Sequence, residues 1–238
     1  MDTMQSIREN VAAIEAKIAA AAKRAGRNPE DILLLAVSKT KPVEMIQEAV
    51  DCGLTALGEN KVQEIMEKFE PMGKGVHWHL IGHLQTNKVK YIIDKVDMIH
   101  SVESLRLAQE IDKRAAAAKV IMDILVEVNI AGEESKFGVR PEDTEVFLRE
   151  LSKFDNIHVR GLMTVAPFVN NPEENRVYFR KMRELLVDMN AKKIDNISMD
   201  VLSMGMTGDY EVAIEEGATI VRVGTGIFGE RYYPTKGE

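Results

Sequence analysis

The sequence has one cysteine among its 238 residues, few aromatic residues and no long apolar run. A single cysteine, Cys52, excludes an internal disulfide and a clustered thiolate metal site, and it is typical of a reducing compartment. No segment approaches the ~18 consecutive apolar residues of a membrane span, and the N-terminus carries mixed charge rather than a signal-peptide pattern. These absences predict a cytoplasmic protein without a membrane partner.

Basic residues are fewer than acidic ones. The sequence has 31 Lys and Arg against 38 Asp and Glu, which gives a formal net charge of -7. Both signs are interspersed, which disfavours a nucleic-acid binder but leaves room for a local pocket that binds one phosphate. The hydrophobic fraction of 45% and the charged fraction of 29% are those of an ordinary globular protein with a sizeable core.

Strand-type and helix-type segments alternate along the chain with short connections. An Ala-rich amphipathic segment, residues 4–25, comes first and predicts a helix that stops at Gly26. Eight strand-like segments follow, each succeeded by helical sequence, although the last has only the short segment 227–230 after it. The predicted strands are residues 31–38, 55–60, 76–82, 97–101, 122–130, 157–165, 199–204 and 219–223.

Eight such units in a chain of 238 residues fit one closed (β/α)8 barrel of the TIM type, with an extra N-terminal helix. An open, doubly wound sheet is the alternative, but no Gly-rich dinucleotide fingerprint follows the first strand. Because no linker is long enough to mark a boundary, residues 1–238 are predicted to form a single domain.

Lys39 follows the first predicted strand, an apolar run over residues 33–37. In parallel α/β folds, ligands bind at the carboxyl ends of the strands. A lysine there, partly desolvated and close to a second ammonium group at Lys41, should have a lowered pKa and a populated neutral amine, as Schiff-base formation requires. The alternative is a solvent-exposed lysine that only ends the strand.

Two glycine-rich turns, residues 203–205 and 224–226, follow the last two strands. Small residues let backbone N–H groups approach an anion, and the short helix beside the second turn offers its positive end. Barrels commonly place a phosphate at this corner. Turn geometry alone could also account for either set of glycines.

Arg222 interrupts the otherwise apolar strand at residues 219–223. A buried guanidinium needs hydrogen-bond acceptors, and an ion pair with a core carboxylate such as Glu59 is one explanation. Another is a heterocyclic ring nitrogen, since arginine is one of the residue types that address the pyridine nitrogen of pyridoxal phosphate. An amine, an arginine and a phosphate cradle together describe a Schiff-base cofactor site.

Eight motifs resemble the YggS/PROSC family of pyridoxal phosphate-binding proteins, in the family's order and across nearly the whole chain. They are AVSKTKP (36–42), GEN with VQE (58–64), WHLIGHLQTNK (78–88), HSVES (100–104), SKFG (135–138), RGLMTV (160–165), LSMGM (202–206) and VRVGTGIFG (221–229). One departure is residues 207–209, Thr-Gly-Asp, where the family usually has Ser followed by two acidic residues.

The resemblance implies a single barrel similar to the N-terminal domain of alanine racemase, with pyridoxal 5'-phosphate held as a Schiff base on Lys39. It also implies Arg222 at the pyridine nitrogen and phosphate contacts from Ser203, Gly224 and Thr225. The cofactor-binding residues expected on this basis are Lys39, Asn60, Ser203, Arg222, Gly224 and Thr225. No catalytic residue and no metal ligand is expected.

The family is associated with intracellular pyridoxal phosphate (vitamin B6) homeostasis, without an established reaction. The sequence supplies a physical reason, because an arginine cannot give up its proton and Arg222 would leave the pyridine nitrogen unprotonated, which weakens the ring as an electron sink. We expect a monomer whose partners are pyridoxal phosphate and the apoenzymes that depend on it, and no nucleic acid.

Two other functions are compatible with the same residues. One is a small amino-acid racemase in which Lys39 works with a local base such as His79 or Tyr210. The other is an unrelated enzyme of sugar phosphates in which Lys39 forms an imine with the substrate. Lys41 and Lys136 could be secondary amines that accept or hand over the aldehyde, or simply solvent-exposed residues.

Overall fold

Eight parallel strands close into a barrel in the computed structural model, which describes residues 3–230, with side chains from residue 7 onward. Neighbours in the chain pair with each other, and β8 (Ile220–Val223) returns to pair with β1 (Leu33–Val37). The other strands are β2 (Ala56–Glu59), β3 (His77–Leu80), β4 (Met98–Val102), β5 (Met122–Glu127), β6 (Ile157–Met163) and β7 (Ile197–Met206). This closure confirms the predicted (β/α)8 barrel and excludes the open sheet.

Helices connect the strands and cover the barrel. The extra N-terminal helix is confirmed as α1 (Thr3–Arg24), and α8 (Thr225–Phe228) follows the last strand. The other α-helices are α2 (Val43–Asp51), α3 (Val62–Met72), α4 (Leu105–Ala118), α5 (Thr144–Leu151), α6 (Arg176–Ala191) and α7 (Tyr210–Glu215). Within residues 3–230, none of the helices has the length and apolar character that a membrane span requires. The predicted domain bounds, 1–238, extend past the described residues at both ends.

Side chains along each strand alternate between the barrel interior and the layer beneath the helices. Six buried residues form the interior cluster, namely Leu35, Ala56, Met98, Leu125, Met163 and Ile220. Their chain neighbours Leu34 and Ala36 belong to the larger outer cluster. By the same alternation Arg222 falls on the interior side, in line with Ile220, and Lys39 follows in the turn beyond the end of β1.

α1 packs along the outside of the barrel against α2, α7 and α8. Its buried residues recur at helical spacing, which explains why an amphipathic sequence forms this element. The stripe consists of Ile7, Val11, Ile14, Ile18, Ala21 and Ala22. At its end, Arg24 makes ion pairs with Glu211 and Glu215 at 3.0 and 2.6 Å.

Several predicted bounds differ from the observed ones, among them β7, which covers Ile197–Met206 instead of residues 199–204, and the three elements described next. The helix expected after β3 is a short 3-10 segment, Thr86–Tyr91. β5 ends at Glu127 rather than at residue 130, because Asn129 closes a loop in which its Oδ1 accepts from Gly132 N at 3.1 Å. α8 begins at Thr225 rather than at residue 227, since the Gly224 carbonyl already accepts from the amides of residues 227 and 228.

Candidate functional site

Arg222 lies inside the barrel and is only 4% exposed. Its Nη1 donates to Ser203 Oγ at 2.7 Å, and its Nη2 donates to the Thr164 carbonyl at 2.8 Å. Burial lowers its pKa to about 10, while the carboxylates of Glu127 and Asp209 act in the opposite direction. The guanidinium therefore stays charged at neutral pH. Its hydrogen-bond acceptors are a hydroxyl and a carbonyl, so the expected ion pair with a core carboxylate is not needed to explain its burial.

Ser203 connects Arg222 to two buried histidines. His100 Nδ1 lies 3.0 Å from Ser203 Oγ, and His100 Nε2 lies 2.9 Å from His79 Nδ1. Burial lowers the pKa of His79 to about 4 and that of His100 well below its usual value, so both rings are neutral at pH 7. Arginine can only donate, so Ser203 Oγ accepts from Arg222, and its remaining hydrogen and lone pair allow it either to donate to His100 Nδ1 or to accept from it.

The sequence analysis gave His100 no role at the site, and it considered His79 only as a base for the racemase alternative. One ring nitrogen of His79 is engaged by His100, and burial lowers the pKa of His79 to about 4. His79 is therefore a weak base. The network orients Arg222 instead.

Lys39 lies in the turn that follows β1 and is partly exposed. The residue before it, Ser38, is fully buried and its hydroxyl donates to Glu59 Oε1 at 2.6 Å. The Ser38 carbonyl accepts from Lys68 Nζ at 2.9 Å. Glu59 and Lys68, which lie outside the barrel interior, therefore hold the turn that carries Lys39.

Lys41, the second lysine of this turn, has a different environment. Its Nζ donates to the carbonyls of Phe228, Gly229 and Glu230 at 3.1, 3.2 and 3.1 Å. Phe228 is the last residue of α8, and Gly229 and Glu230 follow it, so the ammonium group binds three successive carbonyls where this short helix ends. The contacts favour a structural role for Lys41 over that of a second acceptor of the aldehyde.

The second glycine-rich turn is built around the start of α8. Gly224 immediately precedes the helix, and a Cβ added to it would lie 3.2 Å from the Val37 carbonyl oxygen, so a side chain has little room there. Thr225 is exposed. The Gly226 amide donates to Thr207 Oγ1 at 3.3 Å, which joins this turn to the one after β7.

Asn60 follows β2 and is partly buried. Its backbone packs so closely on Gly82 that a Cβ at position 82 would lie 2.7 Å from Asn60 Cα. The six predicted site residues thus divide into two groups. Ser203 and Arg222 are in direct contact inside the barrel, whereas the other four lie at the carboxyl ends of strands, namely Lys39, Asn60, Gly224 and Thr225.

Glu127 is a candidate site residue that the sequence analysis missed. It stands two residues beyond the interior Leu125 on β5, and burial together with the nearby Glu103 raises its pKa to about 7. The charges of Arg222 and Lys136 act in the opposite direction. The signal was weaker than that of Arg222, because Glu127 is the second acidic residue of β5 and ends the strand after the apolar residues 124–126.

The rim beside Glu127 is formed by the loop after β5. Phe137 stacks on His83 with ring centroids 4.0 Å apart, and Glu103 accepts from the Gly138 amide at 3.0 Å. Lys136 extends from the same loop toward Glu133, with 3.9 Å between their charged atoms. Lys136 is thus a rim residue of the barrel mouth.

A lysine after the first strand and a buried arginine on the last strand characterise this eight-stranded parallel barrel. Residues 10–232 match the family described as alanine racemase, N-terminal domain. An alanine racemase of Clostridium difficile shares the fold with a TM-score of 0.71 at 18% identity, over 98% of this chain and 58% of that one.

A narrower group matches along its full length. The pyridoxal phosphate homeostasis protein of Aquifex aeolicus is 48% identical over 94% of this chain and 98% of the relative, and that of Escherichia coli K12 is 39% identical over 98% and 100%. PipY of Synechococcus elongatus, solved with PLP bound, superposes with a TM-score of 0.83 at 32% identity, covering 94% and 100%. The chain belongs to the pyridoxal phosphate homeostasis protein family, which confirms the predicted resemblance.

Proposed function

We propose that this protein binds pyridoxal 5'-phosphate through Lys39 and serves intracellular pyridoxal phosphate homeostasis. The observation that carries the proposal is the buried Arg222, held by Ser203 Oγ and the Thr164 carbonyl on the strand that pairs with β1. An arginine there can address a pyridine nitrogen, and the lysine that follows β1 can bind an aldehyde. The names of the full-length relatives and the PLP-bound PipY support the same ligand.

The residues present fit this cofactor. A guanidinium has five N–H donors, and the bonds to Ser203 and Thr164 use two of them, so others can address a ring nitrogen. Gly224 and Thr225 stand at the start of α8, where backbone N–H groups and a hydroxyl can bind a phosphate. Asn60 lies at the end of a neighbouring strand, and we assign it to the same site.

Pyridoxal phosphate, when bound, supplies an aldehyde that reacts with amines and a ring that can accept electrons. What the chain does with the ring depends on Arg222. With a pKa of about 10, Arg222 keeps its proton at neutral pH and gives the ring nitrogen a hydrogen bond rather than a proton. The site therefore favours holding the cofactor over stabilising a carbanion.

Neither of the two residues proposed as a base for the racemase alternative, His79 and Tyr210, is suited to that role. Burial lowers the pKa of His79 to about 4, which makes it a weak base, and raises the pKa of Tyr210 to about 12. Tyr210 also lines a cavity of about 520 Å³ between α1 and α7, together with Lys17 and Thr207, rather than the barrel interior. We accordingly favour a carrier over an enzyme.

The partners follow from this role. A carrier must release its cofactor, and we propose that pyridoxal phosphate-dependent apoenzymes receive it from a monomeric, cytoplasmic protein made of one domain. The net charge of -7 argues against nucleic acid as a partner. Mixing the loaded protein with an apoenzyme, and following the activity that appears, measures the transfer directly.

Absorbance spectroscopy tests the attachment. We expect the purified protein to show the absorbance band of the bound cofactor, and Lys39→Ala to remove it while the far-UV circular dichroism is unchanged. Borohydride reduction followed by peptide mass spectrometry should find the cofactor on residue 39. The matched control is Lys41→Ala, which removes an amine two residues away and should retain the band. A band that persists in Lys39→Ala and disappears in Lys41→Ala would overturn the assignment.

A further inference from the structure

A cluster of three charged residues lies directly behind the turn that carries Lys39. It consists of Glu59 at the end of β2 and of Glu64 and Lys68 on α3, and we call it the lysine clamp. Glu59 is fully buried and Lys68 is 6% exposed. The proposed function gives none of the three a role.

Lys68 makes three hydrogen bonds from one ammonium group. Its Nζ donates to Glu59 Oε1 at 2.7 Å, to Glu64 Oε2 at 3.1 Å and to the Ser38 carbonyl at 2.9 Å. Because Glu64 and Lys68 are four residues apart on α3, they share one face of the helix. All three donors of the ammonium are thus used, and one of them holds the backbone next to Lys39.

The two carboxylates, Glu59 and Glu64, accept hydrogen bonds from other atoms of the same turn. Ser38 donates its hydroxyl to Glu59 Oε1 at 2.6 Å, and the Thr40 amide donates to Glu64 Oε2 at 2.7 Å. Thr40 has a φ of +64°, a conformation that is uncommon for a β-branched residue. The residues on both sides of Lys39 are therefore fixed by the clamp.

Stability does not explain why this position should be charged. Burying ionic groups is costly, and apolar side chains of similar volume often stabilise a core as well or better. Glu59 illustrates the cost, since its Oε2 has no hydrogen-bond partner among the described residues and burial raises its pKa to about 7 in spite of Lys68. A role in the neighbouring turn accounts for the charges better.

We propose that Lys68, with Glu59 and Glu64, is a positioning group that fixes the Lys39 turn and sets the reactivity of the Lys39 amine. The inference rests on the proposed function in taking Lys39 as the attachment site. Two effects act together. The hydrogen bonds hold the backbone on both sides of Lys39. From the position of these charges beside the turn we infer that Lys68 disfavours the protonated form of the Lys39 amine and that Glu64 favours it.

Chemical labelling of Lys39 in the full-length protein, freed of cofactor by dialysis against an amine, tests the proposal. The rate of acetylation by acetic anhydride would be measured for the Lys39 peptide by mass spectrometry over a range of pH. We expect Lys68→Met to slow labelling at pH 7 roughly tenfold, the effect of raising the Lys39 pKa by about one unit. Lys68→Arg, which keeps the charge, should recover most of the rate.

The control is Lys74→Met, the same substitution at an exposed lysine just beyond the end of α3, which should leave the rate unchanged. Glu64→Gln should change the labelling rate in the opposite direction. It keeps an acceptor for the Thr40 amide but removes a negative charge, which lowers the Lys39 pKa and makes labelling faster. A purely structural role would not predict opposite signs. If Lys68→Met does not fold, Glu64→Gln decides the question alone.

The proposal is overturned if Glu64→Gln labels within about twofold of the wild-type rate, or if a folded Lys68→Met does. These measurements use no cofactor, so they are independent of whether pyridoxal phosphate binds. Absence of the cofactor band in the wild-type protein would refute the proposed function and leave the labelling result standing.

Discussion

Leu35 of β1 pairs in register with Arg222 of β8. The strand that ends at the lysine turn and the strand that carries the buried guanidinium are therefore direct neighbours. Lys39 follows two residues after the end of β1, and Arg222 is buried on β8, so an amine and a guanidinium from opposite ends of the sequence belong to neighbouring strands of the barrel. A planar ligand with an aldehyde and a ring nitrogen can bind both.

The first prediction separates Ser203 from Thr225. The hydroxyl of Ser203 already contacts Arg222 and His100, so Ser203→Ala should weaken the binding of pyridoxal phosphate and of pyridoxal by similar factors, through the loss of Arg222 orientation. Thr225→Val should weaken pyridoxal phosphate selectively, by roughly tenfold or more, because a charge-assisted hydrogen bond to phosphate is lost. Equilibrium titration with both ligands measures the two ratios.

Ser203 was predicted from the sequence as a phosphate ligand, and this experiment decides that prediction. A loss confined to pyridoxal phosphate in Ser203→Ala would assign its hydroxyl to the phosphate after all. Equal losses for both ligands in Thr225→Val would remove Thr225 from the phosphate site.

The second prediction concerns pH and Glu127. Its folded-state pKa of about 7 exceeds the unfolded value, so the folded state binds the proton more tightly and the free energy of unfolding falls as pH rises between about 4.5 and about 7. Gln cannot ionise. We expect Glu127→Gln to match the wild type near pH ~4 and to be more stable by about 1 to 3 kcal/mol above pH ~7.

Urea unfolding at the two pH values measures this difference. Glu134→Gln, at an exposed glutamate of the neighbouring loop, serves as the control and should change the free energy of unfolding little at either pH. A Glu127→Gln protein that is less stable than the wild type at the higher pH would mean that the ionised carboxylate is a favourable partner of Arg222.

The third prediction uses two glycines. Gly82→Ala would bring a Cβ within 2.7 Å of Asn60 Cα, so the backbone must shift and Asn60 with it. We expect a loss of about 1 to 3 kcal/mol of stability and faster dissociation of the cofactor. Gly208→Ala is the control, since a Cβ there meets nothing within 4 Å. Thermal unfolding and a dialysis time course measure both effects, and unchanged retention in Gly82→Ala would argue against Asn60 as a site residue.

The fourth prediction distinguishes a carrier from a racemase. Alanine incubated with the loaded protein in heavy water should show no Cα deuterium exchange above that caused by free cofactor, because the proposed contact with Arg222 would leave the ring nitrogen unprotonated. Arg222→Glu, which can share a proton with that nitrogen, should introduce exchange. Arg222→Gln is the matched control without a titratable proton and should not. Proton NMR follows the exchange.

Fast exchange in the wild-type protein that Lys39→Ala abolishes would replace the carrier with a racemase-like enzyme. If the wild type, Arg222→Glu and Arg222→Gln all show no exchange, a missing base rather than Arg222 prevents the reaction.

The barrel could be predicted because its strands are short apolar runs that end in polar residues. Lys39 was recognisable for the same reason, and Arg222 because a lone charge in an apolar strand demands a partner. Which partner it has could not be read from the sequence. His100 and Ser203 meet across 103 residues of chain, and an irregularity in the β7–β8 register separates the pairs Ser203 with Ile220 and Met206 with Arg222.

The lysine clamp was likewise hidden from sequence reading. Glu64 and Lys68 look like an ordinary exposed ion pair on a helix, and only the packing of α3 against the end of β2 buries Lys68. Glu127 was harder to find than Arg222, since it shares β5 with Asp123 and is the last residue of the strand rather than a lone charge within it.

The pairing of β1 with β8 also affects when the site can form during synthesis. Lys39 emerges from the ribosome early, and Arg222 is translated 183 residues later, so the two cannot face each other until the last strand has been added. Contacts between such distant parts of a chain form late in folding, because the intervening loop must first be closed. A nascent or truncated chain that lacks β8 therefore has Lys39 without Arg222. An aldehyde could bind to the lysine of such a chain, but the contacts from β8 would be missing.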